Sequence, residues 1–116
     1  MAYDASNVFA KILRGEIPCK KILETSHAFS FHDIAPAAPI HALVIPKGHY
    51  LNAADFYARA TAEEITDYAH AITQTLKALG LKENFRLISN NGAAAGQSVF
   101  HFHTHILAGR PMQALL

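Results

Sequence analysis

Apolar residues recur along this chain with two different periods, and each period predicts one kind of element. The longest helical pattern covers residues 62–79, where apolar side chains return every three or four positions. Thr61 and Glu64 have the spacing of a capping box, and Gly80 stands where a helix commonly ends. We therefore expect one long helix. Its predicted buried stripe consists of Ile65, Ala69, Ile72, Leu76 and Leu79.

The remaining pattern predicts one further helix and five strands. Asn7 or Ser6 can cap a short helix over residues 8–14, which Gly15 ends. Segments bounded by turn residues predict strands over 21–24, 28–32, 41–45, 84–89 and 99–107. This order predicts an α+β fold in a single domain over residues 1–116, with a five-stranded, mostly antiparallel sheet, one long helix and one or two short helices.

The composition argues against nucleic-acid binding, a membrane-spanning helix and an internal disulfide. The 116 residues are 51% hydrophobic and 16% charged, and the net charge of +1 comes without the clustered Lys and Arg that nucleic-acid binding needs. The most apolar stretch, 34–46, is broken by three prolines and a histidine, so it cannot span a membrane as a helix. Cys19 is the only cysteine, which excludes an internal disulfide and fits the cytoplasm. A chain this small buries a modest core, so we expect a symmetric homodimer.

The candidate chemistry lies in a row of histidines near the end of the chain. Three of the eight histidines, His101, His103 and His105, fall within five residues. On a strand over 99–107 they would share one face, with successive positions about 6.6 Å apart. Such a row suits two uses. Three imidazoles can bind zinc and leave one coordination position open, or one imidazole can act as a nucleophile beside an acid, a base and an anion binder.

The loop before the histidines favours the second use. Gly92 and Gly96 allow tight curvature, so that main-chain N–H groups can approach an anion closely. Ser98 adds a hydroxyl and Gln97 adds an amide. A phosphate bound here would lie beside imidazoles whose ordinary pKa, near 6.5, allows both the neutral nucleophile and the protonated acid at one pH.

The segment His101-Phe102-His103-Thr104-His105-Ile106-Leu107 resembles the motif of the histidine-triad (HIT) family, with Thr104 as the one departure. Segments 9–18, 31–36, 39–41, 44–47 and 96–99 are similar to the Hint branch of that family. The resemblance covers nearly the whole chain. It implies a HIT-like fold, a homodimer, and hydrolysis of purine nucleoside 5′-phosphoramidates at the P–N bond, with release of AMP or GMP and no cofactor.

The same resemblance implies roles for individual residues. His103 would be the nucleophile that carries the nucleotidyl intermediate, and His105 would hold the phosphate and assist the leaving group. His101 would orient the nucleophile through its main chain, with His41 behind the triad. Ser98 would contact the leaving nitrogen, and Asp33 would accept the ribose hydroxyls. The residues implied to contact the phosphate are Asn90, Gly96, Gln97 and Ser98. Those implied to contact the purine are Val8, Phe9, Phe31, Ile34 and Leu43.

Other interpretations also fit these residues. The chain could cleave dinucleoside polyphosphates, act as a histidine-rich zinc protein, or serve as a nucleotide-binding interaction module. Asp33 could simply start a proline-rich turn. Four apolar residues could simply belong to the core: Val8, Phe9, Phe31 and Leu43. Four histidines are expected on the surface, without a role in the site: His27, His32, His49 and His70.

Two departures from the family pattern add expectations. Some relatives bind structural zinc through a cysteine pair near the start of the chain, and Asn7 and Ala10 stand at the corresponding positions here. The resemblance therefore predicts no such metal site. The tail over residues 112–116 lacks the tryptophan-proline ending of animal relatives, a segment that influences the choice of leaving group.

Overall fold

The computed structural model describes residues 1–114, so the last two residues of the tail lie outside it. Its elements are α1 (Val8–Leu13), β1 (Lys20–Glu24), β2 (Ala28–His32), β3 (Ile40–Pro46), α2 (Ala53–Arg59), α3 (Ala62–Ala78), β4 (Phe85–Ile88) and β5 (Thr104–Ala108). The five strands form one sheet in the order β1-β2-β3-β5-β4, and every neighbouring pair is antiparallel. The predicted α+β fold is confirmed. Within residues 1–114, no helix has the length and apolar character needed to cross a bilayer.

The long helix α3 begins as predicted but buries a different face. Thr61 and Glu64 form both hydrogen bonds of the capping box. The most buried side chains are Tyr68, Ala71 and Thr75, whereas Ala69 of the predicted stripe is exposed. The other four stripe residues are only partly buried. Two of the buried side chains carry hydroxyls that find partners inside the core, which a count of apolar residues alone does not detect.

Helix α2 has no counterpart among the helices located from the sequence. Asn52 caps it by accepting a hydrogen bond from the Asp55 N–H, and Phe56 is its one buried residue. The helix spans seven residues, which is too short for a helical period to stand out. Its position is set by that single aromatic anchor in the core rather than by an amphipathic pattern.

The alternation of side chains along the strands gives the sheet two different faces. The first, here called the helix face, packs against α2 and α3 and carries Ala28, Ser30, Ala42, Val44, Thr104 and Ile106. The second, here called the site face, carries Phe29, Phe31, His41, Leu43, Ile45 and His105. Phe9 of α1 packs on the site face. The alternation therefore puts two histidines on the face that α1 partly covers.

The histidine segment is the main departure from the predicted strands. Strand β5 begins only at Thr104, so the expected strand over 99–107 is wrong in its first half. The ladder between β3 and β5 stops at the pair formed by Val44 and Thr104. Pro46, the last residue of β3, has no N–H to offer a partner strand, and its carbonyl accepts a hydrogen bond from His101 Nε2 at 2.8 Å. Of the three histidines, only His105 lies on a strand.

The core predicts different costs for two neighbouring aromatic residues on α2. Phe56 is fully buried, and its ring centroid lies 5.0 to 5.1 Å from those of Phe102, Tyr50 and Tyr68. We expect Phe56→Ala to lower the free energy of unfolding by about 3–5 kcal/mol in urea denaturation. Tyr57 is 57% exposed, so Tyr57→Ala should cost about 1 kcal/mol or less. Equal losses in the two variants would contradict this packing.

Candidate active site

His101 is fully buried and has a hydrogen bond at each ring nitrogen. Its Nε2 lies 2.8 Å from the carbonyl oxygen of Pro46, and its Nδ1 lies 2.5 Å from the hydroxyl of Tyr3. Because a carbonyl oxygen can only accept, Nε2 must carry the proton of the neutral ring. Nδ1 therefore accepts from the tyrosine. The environment fixes both the orientation and the tautomer of this imidazole.

His103 receives its tautomer from the main chain two residues earlier. Its Nδ1 donates to the carbonyl oxygen of His101 at 2.7 Å. The proton of the neutral ring is therefore on Nδ1, and the lone pair is on Nε2. The ring is 5% exposed and packs edge-on against Phe9, with the centroids 4.9 Å apart. His103 is thus held with an unprotonated nitrogen free to act as a nucleophile.

His41 and His105 form a second hydrogen-bonded pair on the site face. Leu43 pairs with His105 across the β3–β5 ladder, which makes His41 a diagonal neighbour of His105. The main-chain N–H of Ala37 donates to His41 Nδ1 at 2.9 Å, so His41 Nε2 carries the proton and donates to His105 Nδ1 at 2.9 Å. His105 must therefore carry its own proton on Nε2.

The two pairs bring the rings of His103 and His105 side by side. The rings of His103 and His105 are 5.0 Å apart between centroids. Phe9 contacts the rings of both His101 and His103, while Phe102, which lies between them in sequence, packs on the opposite side in the core. The predicted gathering of the histidines on one side is therefore confirmed, although a regular strand accounts for only one of them.

Burial keeps these imidazoles neutral. It lowers the pKa of His101 and of His105 to about 4, and for His105 the neighbouring imidazoles act in the same direction. Burial also lowers the pKa of His103 and of His41, against an opposing effect of the Asp33 carboxylate. At neutral pH each ring therefore has one proton and one lone pair, as the hydrogen bonds require.

Asp33 both stabilises the turn that it begins and lies beside the histidines of the site. Its Oδ1 accepts the N–H of Ala35 at 2.8 Å, which is the turn contact expected of an aspartate before a proline-rich loop. Its Oδ2 lies 3.4 Å from His41 Nε2. The carboxylate therefore stabilises its own turn and also borders the histidines.

The Asp33 carboxylate also belongs to a group of three possible metal ligands. The ligand atoms of Asp33, His41 and His105 lie within 4.8 Å of one another, close enough to be considered as a ligand set. A neutral imidazole has one lone pair, and that of His41 Nδ1 already accepts the Ala37 N–H. Its Nε2 therefore carries a proton where a metal would need a lone pair. This donor pattern favours the hydrogen-bonded pair over zinc binding.

The small-residue loop before the histidines is held together by its own hydrogen bonds. Gly92 and Gly96 have φ angles of +97° and +95°, which glycine adopts readily. The N–H groups of Gly92, Gly96 and Gln97 all donate within the loop, and the Gln97 side-chain NH₂ donates to Leu51 and Val99 carbonyls. The expected anion contact from the Gln97 amide is therefore not available. Ser98 is exposed, and neither its hydroxyl nor its N–H donates within residues 1–114.

The other residues predicted to contact the nucleotide differ in how far their side chains are exposed. Phe9, Phe31 and Leu43 belong to the buried cluster on the site face, so the core interpretation holds for them. Val8 is 39% exposed and Ile34 is fully exposed, so neither is a core residue. Asn90 is partly buried, with its side-chain amide next to Gly96.

No pattern in the sequence indicated Tyr3, Ala37 or Pro46, whose groups fix the histidine tautomers. Two of these contacts use main-chain atoms, which any residue type supplies, and the third joins positions 98 residues apart. Among the predicted surface histidines, His32, His49 and His70 are exposed. The remaining one, His27, is partly buried, and its Nε2 lies 3.6 Å from Oε2 of Glu63.

A family profile described as HIT domain matches residues 14–112, which include all three histidines of the motif. The chain belongs to the HIT family. This confirms the resemblance drawn from the histidine segment. A 13.2 kDa HIT-like protein of Azospirillum brasilense is 52% identical over 115 residues, which cover 98% of this chain and 94% of that protein.

Solved structures of HIT proteins show the same fold. The HIT family hydrolase from Clostridium thermocellum matches with a TM-score of 0.86 at 38% identity, over 96% of each chain. The histidine triad nucleotide-binding protein from Candida albicans matches with a TM-score of 0.76 at 31% identity, over 95% of this chain and 86% of that chain. The arrangement described above is therefore that of a HIT fold.

The buried imidazoles predict a loss of stability at mildly acidic pH. Burial favours the neutral rings, so between about pH 6.5 and about pH 4 the unfolded chain binds more protons than the folded protein. The stabilisation is complete above that range and is lost as the pH falls through it. At roughly 1.4 kcal/mol per pKa unit, His101 alone should lower the free energy of unfolding by about 2–3 kcal/mol in urea denaturation between about pH 7.5 and about pH 4.5.

Carboxylates act in a different pH range and so do not obscure the effect. Hydrogen bonds and charge interactions with Lys47 and Lys21 lower the pKa of Glu24 from 4.5 to about 2. Its contribution is present above about pH 4.5 and is lost only as the pH falls towards 2. A free energy of unfolding that stays level down to about pH 4.5 would contradict the burial of neutral histidines.

Proposed function

We propose that this HIT protein is a hydrolase of the Hint type that cleaves purine nucleoside 5′-phosphoramidates at the P–N bond, releasing AMP or GMP. One observation carries the proposal: His103 donates from Nδ1 to the His101 carbonyl, which leaves Nε2 unprotonated in a ring that lies beside that of His105. The names of the related hydrolase and of the related nucleotide-binding protein support nucleotide hydrolysis.

In the first step, His103 Nε2 attacks the α-phosphorus in line with the leaving nitrogen. The Nε2–P bond forms, the P–N bond breaks, and the nitrogen leaves as an amine after taking a proton from solvent. The new phospho-imidazole carries a positive charge, which the His101 carbonyl stabilises through the Nδ1–H that it already binds. In the second step, water attacks phosphorus and loses a proton to solvent, the Nε2–P bond breaks with its electron pair returning to Nε2, and the nucleotide is released.

His105 and Ser98 supply hydrogen bonds to the phosphate. His105 has an Nε2–H because its Nδ1 accepts from His41. Ser98 is exposed and can offer its hydroxyl and its main-chain N–H, with the hydroxyl next to the departing nitrogen. Gly96 and Gln97 act indirectly, since their own N–H groups hold the loop that presents Ser98. Asn90 borders that loop, with its side-chain amide next to Gly96.

The nucleoside half of the substrate binds along the site face. Asp33 accepts the ribose hydroxyls with the carboxylate oxygen that is not used in its turn. Ile34 and Val8 present exposed apolar surface that a purine can cover, with Phe9, Phe31 and Leu43 as the packed base beneath. Adenine and guanine share the flat surface that such contacts recognise.

We also propose that the protein is a cytoplasmic homodimer. Strand β4 lies at the edge of the sheet, and its Leu87 is 45% exposed. On α3, Ile65, Ile72 and Leu76 are only partly buried. A second copy of the chain would cover both apolar regions at once.

The nucleophile assignment is tested by variants and by trapping the intermediate. His103→Ala should reduce turnover of adenosine 5′-phosphoramidate by more than about 10³-fold and leave AMP binding within about threefold, because only the attacking nitrogen is lost. Mass spectrometry of wild-type protein quenched during turnover should find an adenylyl group on His103. His70→Ala, which changes an exposed histidine on α3, is the matched control and should behave as wild type.

Two results would go against the proposal in different ways. Full turnover by His103→Ala would refute the nucleophile. A kcat/KM for a dinucleoside polyphosphate above that for the phosphoramidate would keep the nucleophile and replace the substrate class.

Asp33→Asn tests the ribose contact without disturbing the turn. The amide oxygen can still accept the Ala35 N–H, while the charge is lost. We expect AMP binding to weaken about tenfold, because hydrogen bonds to a charged group contribute about 1.5–3 kcal/mol. Binding of 2′,3′-dideoxy-AMP should change less than twofold or so by calorimetry. Equal losses for the two nucleotides would show that Asp33 does not bind the ribose.

A further inference from the structure

Tyr3 lies before the first helix, in no helix or strand, yet it reaches the centre of the site. Its hydroxyl oxygen is 2.5 Å from Nδ1 of His101, across a sequence separation of 98 residues. His101 is fully buried, so this nitrogen has no access to solvent. The N-terminal segment therefore supplies a partner to a ring that the rest of the chain leaves with one unsatisfied nitrogen.

The direction of this hydrogen bond follows from its neighbours. His101 Nε2 donates to the Pro46 carbonyl, so Nδ1 must accept. The side-chain NH₂ of Asn7 donates to the Tyr3 oxygen at 3.0 Å, which leaves the hydroxyl proton for His101. The amide of Asn7 cannot be reversed, because its Oδ1 caps α1 by accepting the N–H of Ala10 at 2.9 Å. The helix cap thus orients the tyrosine hydroxyl.

The ring of Tyr3 is held independently of its hydroxyl. It stacks on the exposed ring of His49 with centroids 4.4 Å apart and an interplanar angle of 13°. It also meets the His101 ring edge-on at 5.7 Å. Removing the hydroxyl alone should therefore leave the tyrosine ring in place, which makes the hydrogen bond separately testable.

We propose that Tyr3 is a positioning residue for the hydrolysis, acting through His101 on the nucleophile. This inference rests on the proposed function. With both ring nitrogens bonded, His101 has one orientation, and its carbonyl stays directed at His103 Nδ1. Without the tyrosine hydroxyl, a buried acceptor loses its only donor, and the residue can relieve that by shifting its ring and main chain. A small displacement of the attacking nitrogen is enough to slow an in-line reaction.

Tyr3→Phe is the test, because it removes the hydroxyl and keeps the stacking. We expect kcat for adenosine 5′-phosphoramidate to fall about 5- to 30-fold with KM within about twofold, since the nucleotide contacts are elsewhere. In ¹⁵N NMR, the His101 Nδ1 signal should move to that of an imine nitrogen without a hydrogen bond. Tyr57→Phe is the matched control, because Tyr57 is exposed and its hydroxyl has no hydrogen-bond partner within residues 1–114. It should change neither signal nor rate.

The two readouts separate the outcomes. Wild-type kcat in Tyr3→Phe, at a temperature where circular dichroism shows the variant folded, would overturn the positioning role. A loss confined to KM would overturn it as well. If the wild-type protein cleaves no phosphoramidate, the proposed function fails. An unchanged His101 Nδ1 signal in Tyr3→Phe would overturn the contact itself, whatever the activity.

Discussion

The hydrogen bond from His103 Nδ1 to the carbonyl of His101 is the constraint on which the site depends. It fixes which nitrogen of the nucleophile is free, and it joins two residues only two positions apart. In a regular strand, carbonyls point along the sheet towards neighbouring strands while side chains stand perpendicular to it, so this local bond would be hard to form. The chain forms it because the ladder ends before His103, where Pro46 offers a carbonyl but no N–H.

The other hydrogen bonds of the site form a network that likewise fixes the position of the proton on each histidine ring. A main-chain N–H at Ala37 sets His41, which sets His105, and a main-chain carbonyl at Pro46 sets His101. Burial makes the charged forms of these rings unfavourable, so each ring keeps one donor and one acceptor. The cost of an unpaired buried nitrogen is what makes the arrangement specific. Neutrality and orientation thus have the same physical origin.

Particular elements show where sequence patterns were sufficient. The capping box at Thr61 and Glu64 is a local interaction, and it forms as predicted. The strand pattern also gave the antiparallel sheet, because alternation needs only the neighbouring residues. Patterns failed where burial depends on distant partners. Tyr68 is buried because Val44 and Thr104 bind its hydroxyl, and α2 exists because Phe56 finds a pocket of aromatic rings. Val44 and Thr104 are far from Tyr68 in sequence, as Phe102 is from Phe56.

Residue types and their spacing were enough to identify the family, the antiparallel sheet and the histidines that the site uses. Folding was needed to set where the last strand begins, which ring nitrogens carry protons, and that Gln97 holds a loop while Ser98 donates no hydrogen bond within residues 1–114. The reason is that proton placement depends on main-chain carbonyls and N–H groups brought together by folding. Those groups are the same in every residue except proline, so their positions leave little trace in the order of side chains.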